Sequence, residues 1–239
     1  MPKISELQIS GDDYKKHIVM QVYNQLTINE TRLFMLGVGR LKQCLPMGRT
    51  HEIHIPANEL VSYFGGNKGY YSELSRICQK LSSRKLLLDG VHHNVFSYIR
   101  FSGEDGGLYL RFNPLIVRQL LYAEQRIALQ LAFRLKSIYA IRLLEFLLHY
   151  INSPQLAGSS MIAVRLSLDD FKKYIGVPDT STYRQITNII NKIINHSIVA
   201  IHQNTGYHIT YQSIKSGRRV TGFMFTIASS DGYKMEAKN

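Results

Sequence analysis

Cysteine is scarce in this sequence: Cys44 and Cys78 are the only two. Neither has a close-spaced partner or a histidine pattern beside it, so no disulfide framework, zinc site or other metal or cofactor site is expected. Long apolar runs are missing as well. No stretch approaches the ~18 residues of a membrane span, and the opening Met-Pro-Lys-Ile-Ser-Glu lacks the apolar core of a signal peptide. The expectation is a cytoplasmic protein with no membrane partner. Acidic residues are few, with 17 Asp and Glu against 29 Lys and Arg, which leaves a formal charge of +12 and a pI near 9.7. A polyanionic partner is favoured, since neutralising phosphates releases counterions and supplies affinity without sequence preference. With 45% hydrophobic and 19% charged residues the chain should be globular, and 239 residues suffice for two domains with real cores.

The basic excess is not a tail. Residues 1–120 hold 15 basic and 10 acidic side chains, and residues 121–239 hold 14 and 7. Between Phe171 and Thr226 it sharpens to Lys172, Lys173, Arg184, Lys192, Lys215, Arg218 and Arg219 against Asp179 alone.

Hydrophobic periodicity and turn residues predict the elements. Residues 1–26 read as a polar arm. Thr27-Ile28-Asn29-Glu30 is a capping box that opens a helix carrying Leu33, Phe34, Leu36, Val38 and Leu41. A short strand at 51–55 leads into a helix from Pro56 to Phe64, ended by Gly65-Gly66, and a second helix spans about 69–83. Strands are expected at 86–89, 95–101 and 108–112. The stretch 127–135 fits strand by alternation and helix by composition. A helix at 137–151 follows, then a strand at 161–166, a capped helix from Ser167 to Ile175 and a helix at 180–195. Strands at 198–202, 207–214 and 220–227 complete the pattern, and the last residues, 231–239, read as a frayed tail.

Pro56-Ala57-Asn58-Glu59-Leu60-Val61-Ser62-Tyr63-Phe64-Gly65 and Ser167-Leu168-Asp169-Asp170-Phe171-Lys172-Lys173-Tyr174-Ile175-Gly176 share an acidic-apolar pair and a Tyr-apolar-Gly ending, 111 residues apart. With one residue more of offset, Tyr71, Leu74, Cys78 and Leu81 match Tyr183, Ile186, Ile190 and Ile193. Both sets recur at i, i+3, i+7 and i+10, the spacing of one buried helix face, and Cys78 is there expected to be a buried small hydrophobe. The strands beginning at Leu86 and Ile198 keep the offset. Each half therefore reads helix, strand, helix, turn, helix, hairpin, which is the order of a winged helix. The fold class expected is α+β: two tandem winged-helix domains with a pseudo-twofold relation, at 27–122 and 123–230. A period this long is a whole domain, not a solenoid repeat.

In such a module the second helix of the pair presents its outer face to the major groove and the hairpin wing lies on phosphates. The second copy shows Ser181, Arg184, Gln185, Thr187, Asn188, Asn191 and Lys192 on that face. Arginine pairs with guanine, Asn and Gln with adenine, and the threonine methyl with thymine. Lys215, Arg218 and Arg219 sit at the wing turn and are expected to clamp phosphate. In the first copy Asn67, Lys68, Tyr70, Ser72, Arg76 and Lys80 face outward, but Glu73 shares that face and the wing turn Gly103-Glu104-Asp105-Gly106 is acidic. That domain should touch DNA less and a protein partner more.

Three segments resemble the Rep initiator family of theta-replicating, iteron-bearing plasmids, of the RepA and RepE type. Leu26-Thr27-Ile28-Asn29-Glu30-Thr31-Arg32-Leu33 is similar to the family's opening helix. Leu135-Lys136-Ser137-Ile138-Tyr139-Ala140-Ile141-Arg142-Leu143-Leu144-Glu145 resembles its most specific motif, departing at Leu144, where tyrosine is usual. Lys215-Ser216-Gly217-Arg218-Arg219 with the strand to Ile227 resembles its wing. The resemblance implies a non-enzymatic plasmid DNA replication initiator. Monomers bind origin direct repeats (iterons) in double-stranded DNA and help to melt the origin for loading of the host initiator and the replicative helicase. Homodimers formed through domain 1 repress the protein's own gene at an operator inverted repeat. The family often carries consecutive Arg or Lys where this chain has Thr187 and Asn188, so its base contacts differ in detail.

Two other classes compete. A rolling-circle nicking enzyme needs a tyrosine and a His-hydrophobic-His strand, but His51 and His54 fall on opposite faces of a strand and His92 and His93 are adjacent. A plain transcriptional regulator would use the same winged helices. It would be told apart by binding a promoter palindrome in place of direct repeats in an origin.

Overall fold

The computed structural model describes residues 4–9, 18–44, 52–66, 69–88, 90–102, 105–122, 129–151 and 161–229. It divides into two units, residues 25–125 and residues 1–24 with 126–239. In chain order the elements are β1 (Ile4–Gln8), α1 (Ile18–Tyr23), α2 (Ile28–Cys44), β2 (Glu52–Ile55), α3 (Ala57–Phe64), α4 (Tyr70–Ser82), β3 (Lys85–Leu88), β4 (Val91–Asn94), β5 (Phe96–Phe101), β6 (Leu108–Phe112) and α5 (Pro114–Tyr122). They continue with α6 (Leu129–Arg134), α7 (Ile138–Ile151), β7 (Met161–Ser167), α8 (Leu168–Ile175), α9 (Ser181–Arg184) and α10. Helix α10 has three consecutive parts: Ile186–Asn188, the π-wound Ile189–Asn195, and His196–Asn204. Strands β8 (Tyr207–Ser216) and β9 (Arg219–Ser229) follow.

In the first unit α2 starts as its capping box predicts, with the Glu30 carboxylate accepting the Thr27 N–H at 3.0 Å. Glu30 is buried, and Arg84 compensates its charge at 2.9 Å. The apolar face of α2 covers the sheet β2-β6-β5. Phe34 stands edge-on to Phe96 and Phe112, with ring centroids 6.2 and 5.8 Å away. Close approach needs Gly37, where a Cβ would lie 3.0 Å from the Leu110 side chain. A separate hairpin, β3-β4, is inserted after α4.

The second unit repeats the plan. Its sheet runs β1-β7-β9-β8, so β7, β9 and β8 stand where β2, β6 and β5 stand in the first unit. Helix α7 is buried nearly all round from Ala140 to Leu148 and is the centre of this core. Gly222 lets β9 press on β7, because a Cβ there would run into the Leu166 carbonyl oxygen. Both units are winged helices, each with a strand, a helix pair and a hairpin wing.

Several expectations are corrected. The first 26 residues are not simply an arm: β1 pairs in parallel with β7, Ile4 opposite Met161, and α1 buries Val22 and Tyr23. Both belong to the unit formed by the C-terminal half. The stretch left open at 127–135 is helical over Leu129–Arg134, with 127 and 128 outside the described residues. No strand forms at Ile198–His202. That segment is helix, because Ile189, Ile193, Ser197 and Ile201 keep a four-residue spacing against α7 and override the β-branched composition. The 111-residue offset consequently stops at the second helix of each pair. Strand β4 was not anticipated. The tail and the Gly103-Glu104 half of the first wing turn lie outside the described residues.

Candidate nucleic-acid interface

The helix pair of the second unit is built on α8. Ser167 caps it, its Oγ accepting the Asp170 N–H at 3.0 Å and donating to the Asp170 carboxylate at 2.7 Å. Gly176 ends it at φ 64°. Only glycine suits this turn on two counts, since the backbone is left-handed and a Cβ would come within 2.7 Å of the Arg142 guanidinium.

Arg142 fastens the turn. Its buried guanidinium donates to the carbonyls of Ile175 at 3.0 Å, Gly176 at 3.3 Å and Tyr23 at 2.8 Å. Asn24 adds a bond from Nδ2 to the Lys173 carbonyl at 2.7 Å. The last carbonyls of α8 are thus satisfied from α7 and from the end of α1. One turn before Arg142, Tyr139 packs edge-on against Tyr183 of α9, centroids 6.5 Å apart. The Tyr139-x-x-Arg142 pair is therefore what seats the helix that follows.

That helix does not run straight from 180 to 195. The backbone leaves the helical region at Gln185 (φ −82°, ψ 118°), and π winding begins at Ile189. This shifts the buried stripe. Ile189, Ile193, Ile194, Ser197 and Ile201 are buried, whereas Tyr183, Ile186 and Ile190, expected in the core with Ile193, are half-buried. Ser181, Arg184, Gln185, Thr187, Asn191 and Lys192 are exposed, as a reading face requires, and Asn188 is half-covered. The face also extends beyond the anticipated end to Asn195, His196, Val199 and Gln203. The signal for this was present, since no Gly or Pro interrupts residues 179–205.

The wing lies beyond. Lys215, Arg218 and Arg219 are all exposed, and Ser216 pairs with Arg219 to close a two-residue turn with Gly217 at φ 59°. His202 ties α10 to the wing strand: its Nε2 accepts the Ile209 N–H at 2.7 Å and its ring stacks on His208 at 4.4 Å. Burial, then His208, lowers its pKa, which keeps the ring a neutral acceptor.

In the first unit Ser72 and Arg76 of α4 are exposed, while Asn67 and Lys68 lie outside the described residues. Tyr70 is corrected: it is 5% exposed, and burial pushes its phenol up to about 12. Tyr71, expected in the core, is instead 58% exposed, beside Gly106 of the wing turn. The buried stripe here is Tyr70, Leu74, Ile77, Cys78 and Leu81, so Leu74, Cys78 and Leu81 are in the core as expected and only the first position differs, Tyr70 in place of Tyr71. Cys78 is buried as expected, its thiol pushed up to about 12 by desolvation. Arg76 is held by Glu73, Nε to Oε2 at 3.0 Å and Nη2 to Oε1 at 2.8 Å. In the wing turn Asp105 accepts the Gly107 N–H at 2.9 Å and meets His54 Nε2 at 2.9 Å. The Gly107 bond first, then Ser102, hold its carboxyl below the usual range, so the turn keeps a negative charge.

Two helix-pair modules with wings, one of them lined by exposed Arg, Lys, Gln and Asn, define a DNA-binding protein of the double winged-helix class. The model of the family described as Initiator Replication protein, WH1, matches residues 13–148, and that described as Initiator Rep protein, WH2, matches residues 167–227. The chain belongs to this family of Rep plasmid replication initiators. Among solved structures it is similar to the Pi initiator protein, crystallised in complex with iteron DNA, at 18% identity and TM-score 0.69, over 89% of this chain and 94% of that one. It is also similar to domains 2 and 3 of RctB at 10% identity and TM-score 0.53, over 84% of this chain and 82% of that one. These likenesses are of fold. The search of curated proteins returns no match. Among the described residues no helix is long and apolar enough to cross a membrane.

Proposed function

We propose that this chain initiates plasmid replication by binding the direct repeats of an origin as duplex DNA, with the second unit as the principal reader. The observation that carries this is the exposed face of α9 and α10 beside the cationic turn Lys215 to Arg219, within a chain of the initiator family. Arg184, Gln185, Thr187, Asn191 and Lys192 address base edges and nearby phosphates, and Lys215, Arg218 and Arg219 hold phosphate. Ser72 and Arg76 add a lesser contact from the first unit, whose acidic wing turn suits a protein surface, a second copy of the chain among them. Repression of its own gene by such a dimer, and contact with a host initiator and helicase, follow from the family resemblance. The role is one of binding without catalysis, in the cytoplasm.

Footprinting on the DNA flanking its gene tests the reading. Protection of ~20 bp per repeat is expected at successive direct repeats if each unit enters one major groove. Protection of a single promoter palindrome and nothing else would make the protein a transcriptional regulator. Affinity for duplex should fall steeply with salt and be lost on single strands. The double substitution Arg218→Ala, Arg219→Ala should weaken all duplex sequences alike and flatten the slope of log K against log salt by roughly 2, about 0.9 for each phosphate contact. Relaxed preference at one base pair, with the slope intact, would remove the wing from the phosphates.

A further inference from the structure

We infer that Asn188 is a positioning residue that sets how the recognition helix meets DNA, and not itself a base reader. The inference rests on the DNA-binding reading of this face. In an unbroken helix the Thr182 carbonyl would accept the N–H four residues on. The break at Gln185 turns that pattern aside, and the Thr182 carbonyl instead takes the Asn188 side chain, Nδ2 to O at 2.8 Å. The same Nδ2 donates to Gln185 Oε1 at 3.3 Å. The carboxamide thus spans the break, tying α9 to the first turn of α10, while the backbone resumes with Asn188 and Ile189 donating to the Gln185 carbonyl at 3.0 and 3.4 Å.

Asparagine pairs with adenine by donating one N–H and accepting one. A carboxamide has two N–H donors, and both are engaged inside the protein. What Asn188 controls instead is the angle between Ser181–Arg184 and the rest of the face. The π winding from Ile189 re-aims Asn191 and Lys192 a second time. The base-facing set is therefore arranged by two departures from a straight helix, and Asn188 holds the first.

Asn188→Ala and Asn188→His are compared with the unaltered protein on a panel of single-base-pair variants of the footprinted duplex. Histidine keeps an N–H near the place of Nδ2 but cannot form the two-point pair with adenine. The expected result is that Asn188→Ala loses about tenfold in affinity for the preferred site, on the order of one base contact. Preference should flatten over the several adjacent base pairs served by Arg184 and Thr187. Non-specific affinity and the thermal midpoint should change far less than the specific affinity does, and Asn188→His recovers most of the loss. A loss confined to one base pair and not recovered by histidine would overturn the inference, as would no loss at all. If the unaltered protein shows no preference within the panel, it is the DNA-reading proposal that fails. The positioning role is then decided in DNA-free protein by NMR, where slowed exchange of the Asn188 side-chain amide and its proximity to Thr182 support it, and free exchange overturns it.

Discussion

Replacing Arg142 with alanine should destabilise the unit formed by residues 1–24 and 126–239 by about 3 to 5 kcal/mol, because it removes three hydrogen bonds from a charged group, each worth roughly 1.5 to 3 kcal/mol before water restores part of the loss. The guanidinium is buried and its N–H groups reach three carbonyls, those of Tyr23, Ile175 and Gly176. Alanine leaves those acceptors without their donor, two of the bonds being buried, and each unmet buried polar group costs about 1 to 3 kcal/mol less whatever water can restore. In denaturant or heat, the transition of this unit should move down by roughly 10 °C, while that of residues 25–125 stays in place. Lysine should not rescue it, since one ammonium cannot reproduce a fork that spans two helix ends. The substitution should also weaken DNA binding ahead of global unfolding, because the turn at Gly176 that aims α9 loses its fastening. A loss below 1 kcal/mol would mean that Arg142 is not the clasp described here.

The tandem arrangement was legible in the sequence because its signals are local. The paired motifs ending at Gly65 and Gly176, the capping boxes at Thr27 and Ser167, and the wing turn at Gly217 are each written within ten residues. What was not legible depends on distant partners. Nothing near Ile4 announces a parallel pairing with Met161, and nothing near Tyr23 announces that its carbonyl will meet Arg142. The motif Tyr139-x-x-Arg142 was visible, but its physical purpose appears only when α1, α7 and α8 converge on one guanidinium. At Ile198–His202 local composition misleads for a different reason, since isoleucine and valine favour strands in isolation and the packing of Ser197 and Ile201 decides otherwise. At Tyr70 and Tyr71 the match between the two copies points to the wrong one of two adjacent tyrosines. A helix with a break and π winding is a poor ruler for a regular one. The residue types of the reading face and their exposure were legible, whereas the break at Gln185 and the π winding from Ile189 were not.

Arg184→Ala should cost about 1 to 3 kcal/mol at the specific site, the range of one good base contact, and Arg76→Ala should cost much less. Both arginines are exposed and both lie on the helix that follows the turn of a winged-helix unit, so exposure alone does not rank them. Their partners do. Arg184 stands with its side chain 72% exposed, and its nearest acid is Asp179 at 3.6 Å, itself exposed. An exposed pair of this kind is worth little and is readily exchanged for a guanine edge. Arg76 is gripped by both oxygens of Glu73, whose carboxyl is held below its ordinary range chiefly by that hydrogen bond. To reach DNA, Arg76 must release a carboxylate that then faces the phosphates, and the nearby wing turn already carries Asp105. Glu73→Ala should accordingly raise affinity by freeing Arg76, whereas Asp179→Ala should change it little. Titrations of the four variants against one duplex at a single salt concentration decide the ranking. An Arg76 effect as large as that of Arg184 would make the first unit an equal reader. An unchanged affinity for Glu73→Ala would show that the ion pair is not what withholds Arg76 from the groove.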